Sequence, residues 1–481
     1  MSESGPPADV QDGIRKGDGI GQGRLRRVAP LAGLSARTAG EGAVVGLRGK
    51  LTGADSTEFH IRTAERYAEL FGRSKGALMK MGQLLSLFSL GPIVPDEQQS
   101  IYQAAMSDLR DDVPPMAPEL AREVLERELE RPTEDAFAQF DWEPLAAASI
   151  GQVHAARLHD GRAVAVKIQY PGVASAIRAD LKNAELLATF GGFVMYVLGM
   201  SKVKIDLEVA AQEFGLRILE ELDYRLEAAN QAEFAKLYRG HPFIHVPEVV
   251  AELSTGRVLT QELVRGKSWS EAQLAEQQLR DKWGETIFRF FYDSYHRGVG
   301  NIDPHPGNYF FHEDGSVSFL DFGCVKRFPR AQTEAINAIV RACLRGDVLG
   351  TWRANVEGGF FAATDPVSPE EVFDYWRVPY RQYWDEQPFT VTPEYVAAQI
   401  ERRYGPRGPS SNAYRHLTIP RDLVVMSRAE IEVWSAIGAL RPSVYWGSIM
   451  DEHFEGAAPI TPLGKLDRAF FEQREAAGSH V

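Results

Sequence analysis

The chain has 481 residues, 44% of them hydrophobic and 25% charged, which are globular proportions and enough for a two-lobed catalytic domain plus an extension. A net charge of −13 speaks against a dedicated nucleic-acid binder, whose surface would be basic. The two cysteines, Cys324 and Cys343, make no disulfide framework.

Residues 1–50 are rich in Gly, Ser, Ala and Arg and hold little that could bury a core, so they read as a flexible arm. Glu3 and Asp9 without an apolar run give no secretory signal. Arg24, Arg26 and Arg27 fall short of the clusters of about 4–8 that mark an anionic-lipid site. From Ser56 to Leu90 a stripe of Ala77, Leu78, Met81, Leu84, Leu85 and Phe88 predicts a helix, ended by Gly91-Pro92 and Pro95. A second helix is expected over Met116–Glu130, between Pro114-Pro115 and Pro132. Strand text starts near Phe140. Ser149–Leu158 and Ala163–Ile168 flank the hairpin turn Asp160-Gly161.

Helical text covers Val173–Met200 and Leu207–Lys236. Its stretch Leu186–Met200 is free of charge for 15 residues. A spanning helix needs roughly 20. A buried helix is therefore expected, with any membrane contact peripheral and the location cytoplasmic. A strand follows at Arg257–Leu263, then a strong helix from Leu274 to Arg297 with Leu279, Trp283, Ile287, Phe290, Phe291 and Tyr295 on one side. Short strands at Tyr309–Phe311 and Val317–Leu320 flank Asp314-Gly315, and mostly helical text runs from Ala331 to Glu475. A β-rich lobe followed by a helical lobe predicts an α+β fold.

Three segments carry chemistry. Lys167 ends the apolar strand Val164-Ala-Val-Lys167, where an ammonium needs an anionic partner such as nucleotide phosphates. Asp303 and Asn308 are separated by four residues in Asn301-Ile-Asp303-Pro-His305-Pro-Gly-Asn308. That is the kinase catalytic-loop spacing, with an Asp to orient an acceptor hydroxyl and an Asn to hold Mg²⁺. Asp321-Phe322-Gly323 leaves an apolar strand, as the kinase Mg²⁺-binding segment does. Each alone also fits an ordinary turn or strand end. Their joint order, strand lysine then loop then hairpin then Asp-Phe-Gly, points to an ATP- and Mg²⁺-binding kinase-like protein.

With Lys80-Met-Gly-Gln83, Ala146-Ala-Ala-Ser-Ile-Gly-Gln152 and Glu221-Leu-Asp223 added, the sequence resembles the UbiB-type atypical kinase-like family, linked to coenzyme Q biosynthesis, over residues 56–345. The resemblance implies a kinase-like two-lobed fold with a helical KxGQ extension and a mostly helical C-terminal lobe. It implies that Glu227 partners Lys167, that Lys80 and Gln83 lie over the nucleotide with Glu221 near Lys80, and that Glu262–Val264 meets adenine. Ala146, Ala147, Ala148 and Ser149 form the nucleotide loop, Asp303 is the catalytic Asp, and Asn308 and Asp321 hold the metal. The family usually has His where this chain has Asn301, a supporting position. His305 is read as structural, since Asp303 already fills the base position. Cys324 is expected to be a buried, inert thiol.

Alanines restrict the close approach that a Gly-rich loop allows. Helical text follows Pro329 at once, leaving no room for a long activation segment, and helix Ser74–Leu85 is expected to cover the cleft. These features favour an ATPase or a small-molecule or lipid-directed kinase over a peptide kinase, and the resemblance implies a link to isoprenoid-quinone or lipid metabolism. A nucleotide-binding pseudokinase scaffold and an aminoglycoside/choline-type phosphotransferase are the alternatives. Expected partners are ATP and a lipid or quinone-precursor ligand, with no nucleic acid. The expected domains are an arm (1–50), a KxGQ extension (51–135), an N-lobe (136–266) and a helical C-lobe (267–481).

Overall fold

The computed structural model describes residues 115–148, 150–181, 222–404, 409–418 and 421–477. The expected arm, the Ser56–Leu90 helix, the Leu186–Met200 run and the site residues Lys80, Gln83, Ser149 and Glu221 lie outside the described residues. In chain order the first elements are α1 (Pro118–Leu129), α2 (Thr133–Ala136), β1 (Gln139–Ala148), β2 (Gly151–Arg157), β3 (Ala163–Gln169) and α3 (Val173–Leu181). The next are α4 (Tyr224–Tyr238), β4 (Ile244–His245), β5 (Val258–Glu262), α5 (Trp269–Gln273), α6 (Gln277–His296) and β6 (Val299–Asn301). Then come β7 (Tyr309–Phe311), β8 (Val317–Phe319), β9 (Val325–Arg327), α7 (Arg330–Leu344), α8 (Val348–Glu357) and α9 (Pro369–Arg377). The chain closes with β10 (Phe389–Thr390), α10 (Pro393–Tyr404), α11 (Ser411–His416), α12 (Arg421–Leu440), β11 (Ser443–Val444), α13 (Trp446–Glu455) and α14 (Pro462–Ala476). Small sheets ahead of a helical C-terminal part make an α+β fold.

Two compact units share the chain. The first takes residues 1–130, 141–154 and 167–222, and the second takes 131–140, 155–166 and 223–481. In the first, α1 starts two residues later than the sequence text suggests. Pro118 is its first turn and restricts Ala117 to an extended ψ of 142°, while Glu130 closes it in the left-handed region at φ 53°. A buried polar chain follows: Gln152 Oε1 accepts from the Met116 N–H at 2.8 Å, and Gln152 meets His154 at 2.9 Å. His154 Nδ1 meets the Asp141 carbonyl at 2.8 Å, and burial holds its pKa down. Ala146–Ala148, expected as a loop, are the last residues of strand β1.

The second unit holds the large aromatic core, running from Phe234 to Phe454. Its α4 begins at Tyr224, after a turn at Leu222, and residues 207–221 of the expected Leu207–Lys236 helix lie outside the described residues. Asp223 caps it, its side chain accepting from the Arg225 N–H at 3.1 Å. The Leu274–Arg297 text divides. Ser268 and Glu271 form a capping box on the short α5, Leu274 is 88% exposed, and α6 begins at Gln277. Every residue of α6 from Trp283 to Tyr295 is buried, so the helix is enclosed on all faces rather than on one side. Strand order is β1-β2-β3-β5 in the largest sheet and β4-β8-β7 in the next, with β6 pairing β9 and β10 pairing β11.

Candidate functional site

Four of the expected site residues, Glu227, Asp303, Asn308 and Asp321, lie in the second unit, on α4 and on the segments that follow α6. The chain turns through Gly298 at φ 78°, and β6 then runs antiparallel to β9, with Asn301 opposite Val325. The Ile302 N–H extends this ladder to the Cys324 carbonyl at 3.0 Å. Asn301, 6% exposed, bridges two segments: its Nδ2 donates to the Asp321 carbonyl at 2.8 Å, and its Oδ1 accepts from the Asp303 N–H at 3.0 Å. Asparagine thus performs a supporting task with one donor and one acceptor.

The 303–308 loop is held by its own backbone. The His305 N–H donates to the Asp303 carbonyl at 2.8 Å, and the Asn308 N–H to the His305 carbonyl at 2.9 Å. His305 Nδ1 accepts from the Gly307 N–H at 3.0 Å and caps the short turn Pro306–Asn308, a structural task. The Tyr309 hydroxyl donates to the Pro304 carbonyl at 2.7 Å, and the Leu320 N–H to the Asn308 carbonyl at 3.0 Å. Asp303 and Asn308 are half-buried at the ends of this loop.

Helix α4 supplies the other wall. Glu227, Asn230 and Phe234 fall at positions i, i+3 and i+7, one face of a helix. Phe234 packs on the fully buried Phe322 with ring centroids 4.8 Å apart. Asn230 Nδ2 donates to the Phe322 carbonyl at 3.0 Å, while its Oδ1 accepts from Arg327 at 3.4 Å. Asp321 Oδ1 accepts from the Gly323 N–H at 2.9 Å. A Cβ placed on Gly323 would lie 3.2 Å from that oxygen and 4.0 Å from Glu227 Oε2, so the two carboxylates converge on this glycine.

The remaining expected residues are placed separately. Glu262 is the last residue of β5 and Val264 lies two residues beyond it, both half-buried. The Glu262 carboxylate faces His245 at 3.3 Å, and this contact first, with the Glu248 N–H, holds it below the usual carboxylate range. Lys167 is half-buried on β3 in the first unit. Cys324 is half-buried rather than fully enclosed. The roles of Asn230 and Gln152 were not assigned from sequence. The signal for Asn230 is its spacing three residues after Glu227. Gln152 carries none, because its partner Met116 is 36 residues away.

Magnesium is usually held by one or two protein carboxylates with phosphate and water oxygens completing the shell. One carboxylate (Asp321) and one amide (Asn308), on either side of the β7–β8 hairpin, fit that requirement by donor type. Among the described residues no helix is long and apolar enough to cross a membrane.

The sequence model of the ABC1 atypical kinase-like domain matches residues 108–353, a little over half of the chain. A chloroplastic aarF domain-containing protein kinase of Arabidopsis thaliana is 33% identical over 60% of this chain and 38% of that relative. The mitochondrial atypical kinase COQ8B of Rattus norvegicus is 34% identical over 59% of this chain and 52% of that relative. The chain thus spans between about a third and a half of the length of these curated relatives. A solved structure of the Rv3197–erythromycin complex from Mycobacterium tuberculosis superposes with a TM-score of 0.58 at 29% identity, covering 78% of this chain and 90% of that one. The chain belongs to the ABC1 atypical kinase-like family, the UbiB group that its KxGQ and Ala-rich segments resemble.

Proposed function

We propose that the protein binds ATP with Mg²⁺ and acts as an ATPase or as a kinase on a small or lipid-like acceptor. The observation that carries this reading is the hydrogen-bonded constellation of Asn301, Asp303 and Asp321, with Asn230 of α4 bonded to the Phe322 carbonyl and Glu227 facing Gly323. In this reading Asp303 orients the acceptor hydroxyl or water, and Lys167 meets the nucleotide phosphates. Asn308 and Asp321 hold Mg²⁺, which when bound supplies positive charge against the phosphates. Asn301 fixes the distance between the loop and Asp321 and does no chemistry itself.

The short connection after Asp321 supports a non-peptide acceptor. Only β9 intervenes before α7 begins at Arg330, so little chain is available to dock a peptide. Names of relatives such as the atypical kinase COQ8B support a place in isoprenoid-quinone or lipid metabolism. We place the protein in the cytoplasm, with any membrane contact peripheral.

The test is Mg²⁺-dependent phosphate release from ATP, with and without anionic liposomes, for wild type, Asp321→Asn and Lys167→Ala. Wild-type turnover falling at least about a hundredfold in both variants is expected, a loss of about 2.7 kcal/mol of transition-state stabilisation. Absence of wild-type turnover while ATP still raises Tm contradicts the enzyme reading and leaves a nucleotide-binding scaffold.

A further inference from the structure

A cavity of about 110 Å³ lies among the helices of the second unit. Its wall includes Tyr295 of α6, Val340 of α7, Trp376 of α9, Ser427 of α12 and Met450 of α13. Among the described residues lining it, the charged ones are Arg403 and Glu430, which face each other with Nη1 and Oε2 3.7 Å apart. Glu430 Oε1 accepts from the Tyr292 hydroxyl at 3.0 Å and from the Tyr380 hydroxyl at 2.9 Å. The Arg403 guanidinium lies over the rings of Tyr375, Trp376 and Tyr380, 5.0, 5.2 and 5.1 Å from their centroids. Its Nε donates to the Tyr375 hydroxyl at 3.2 Å.

This arrangement selects by charge and by shape. An entering ion would lose its water and meet a pair already matched to each other, so ions are disfavoured. Apolar cavities of about 150 Å³ stay dry and take up benzene or xenon, and this one is of that order. Rings on several sides offer edge-to-face contacts to an aromatic guest. Burial pushes the Cys343 thiol up to about 12 and raises the Tyr292 and Tyr383 hydroxyls, so these walls stay neutral.

We propose that this cavity is a binding site for a neutral, apolar, single-ring molecule. Asp303, Asn308, Asp321 and Glu227 do not line it, so the proposal stands apart from the ATP reading.

The test is a fluorine-NMR titration of fluorobenzene into the full chain, with toluene as competitor. Saturable broadening reversed by toluene is the expected result. Ser427→Leu and Ile336→Phe add bulk to the wall from α12 and α7, and each is expected to weaken the fluorobenzene Kd at least about tenfold. Cooperative thermal unfolding followed by circular dichroism monitors the folded state of each variant. Broadening that does not saturate, that toluene leaves in place, or that persists unweakened in a folded variant overturns the proposal. If neither variant folds, the competition result on wild type decides.

Discussion

Asn301 shows how one side chain can couple two parts of a site. Its amide donates to one segment and its carbonyl accepts from the other, so Ala at this position leaves the Asp321 carbonyl and the Asp303 N–H without their partner. Leaving a buried group unsatisfied costs about 1–3 kcal/mol. Asn301→Ala is therefore expected to lower unfolding free energy by that amount in urea titration and to reduce phosphate release at least about tenfold. Unchanged turnover in a destabilised variant would show that the bridge serves the fold alone. The spacing of Asp303 and Asn308 and the strand that carries Lys167 were legible in the sequence, because each motif is local, although β3 runs past Lys167 to Gln169. The bridge from Asn301 to Asp321 spans 20 residues and that from Asn230 to Phe322 spans 92, and no local pattern encodes such partners.

Helix α6 explains both what the sequence conveys of the elements and what it hides. Its apolar periodicity predicts a helix, but Glu285, Arg289 and Asp293 on it are also buried. Arg289, 1% exposed, is matched by Glu285 at 2.8 Å, Glu452 of α13 at 2.8 Å and Asp467 of α14 at 3.7 Å. Two of those partners, Glu452 and Asp467, lie far along the chain, so charged residues that look solvent-facing are core. The boundary of α4 hides for a different reason: Asp223 acts as a cap inside text that reads as helical throughout.

The same α6–α13 contact sets a pH dependence. His296 and His453 stack with centroids 5.5 Å apart, and burial, aided by nearby arginines, holds their pKa values down to about 4 and about 3. Both imidazoles take up protons in the unfolded chain below the ordinary 6.5 but remain neutral in the fold until far lower. Their contribution is therefore complete above pH 6.5 and is lost as pH falls toward the folded values. Each histidine costs about 2 kcal/mol of stability between pH 6.5 and 5. Urea unfolding of wild type and His453→Leu at those two pH values checks this. The variant is expected to lose less stability on acidification by about 2 kcal/mol, and an equal loss would contradict the assignment.

For the molecule as a whole, the kinase-like order of segments pointed to a kinase-like protein, and the KxGQ and Ala-rich segments carried the resemblance to its family. The order of predicted strands and helices set the α+β class, and the motifs narrowed it. The aromatic core from Phe234 to Phe454 and its internal cavity were not legible, because helices α7 to α13 carry ordinary amphipathic text whose partners only the tertiary fold supplies. The central claim is that this fold presents Asp321 to a metal–nucleotide pair. Calorimetric titration of ATP, with and without Mg²⁺, into wild type and Asp321→Asn tests it most directly. Mg²⁺ is predicted to tighten ATP binding to wild type at least about tenfold, about 1.4 kcal/mol, and to have no such effect on the variant. ATP that does not bind wild type, or a Mg²⁺ gain that survives in Asp321→Asn, would contradict the account.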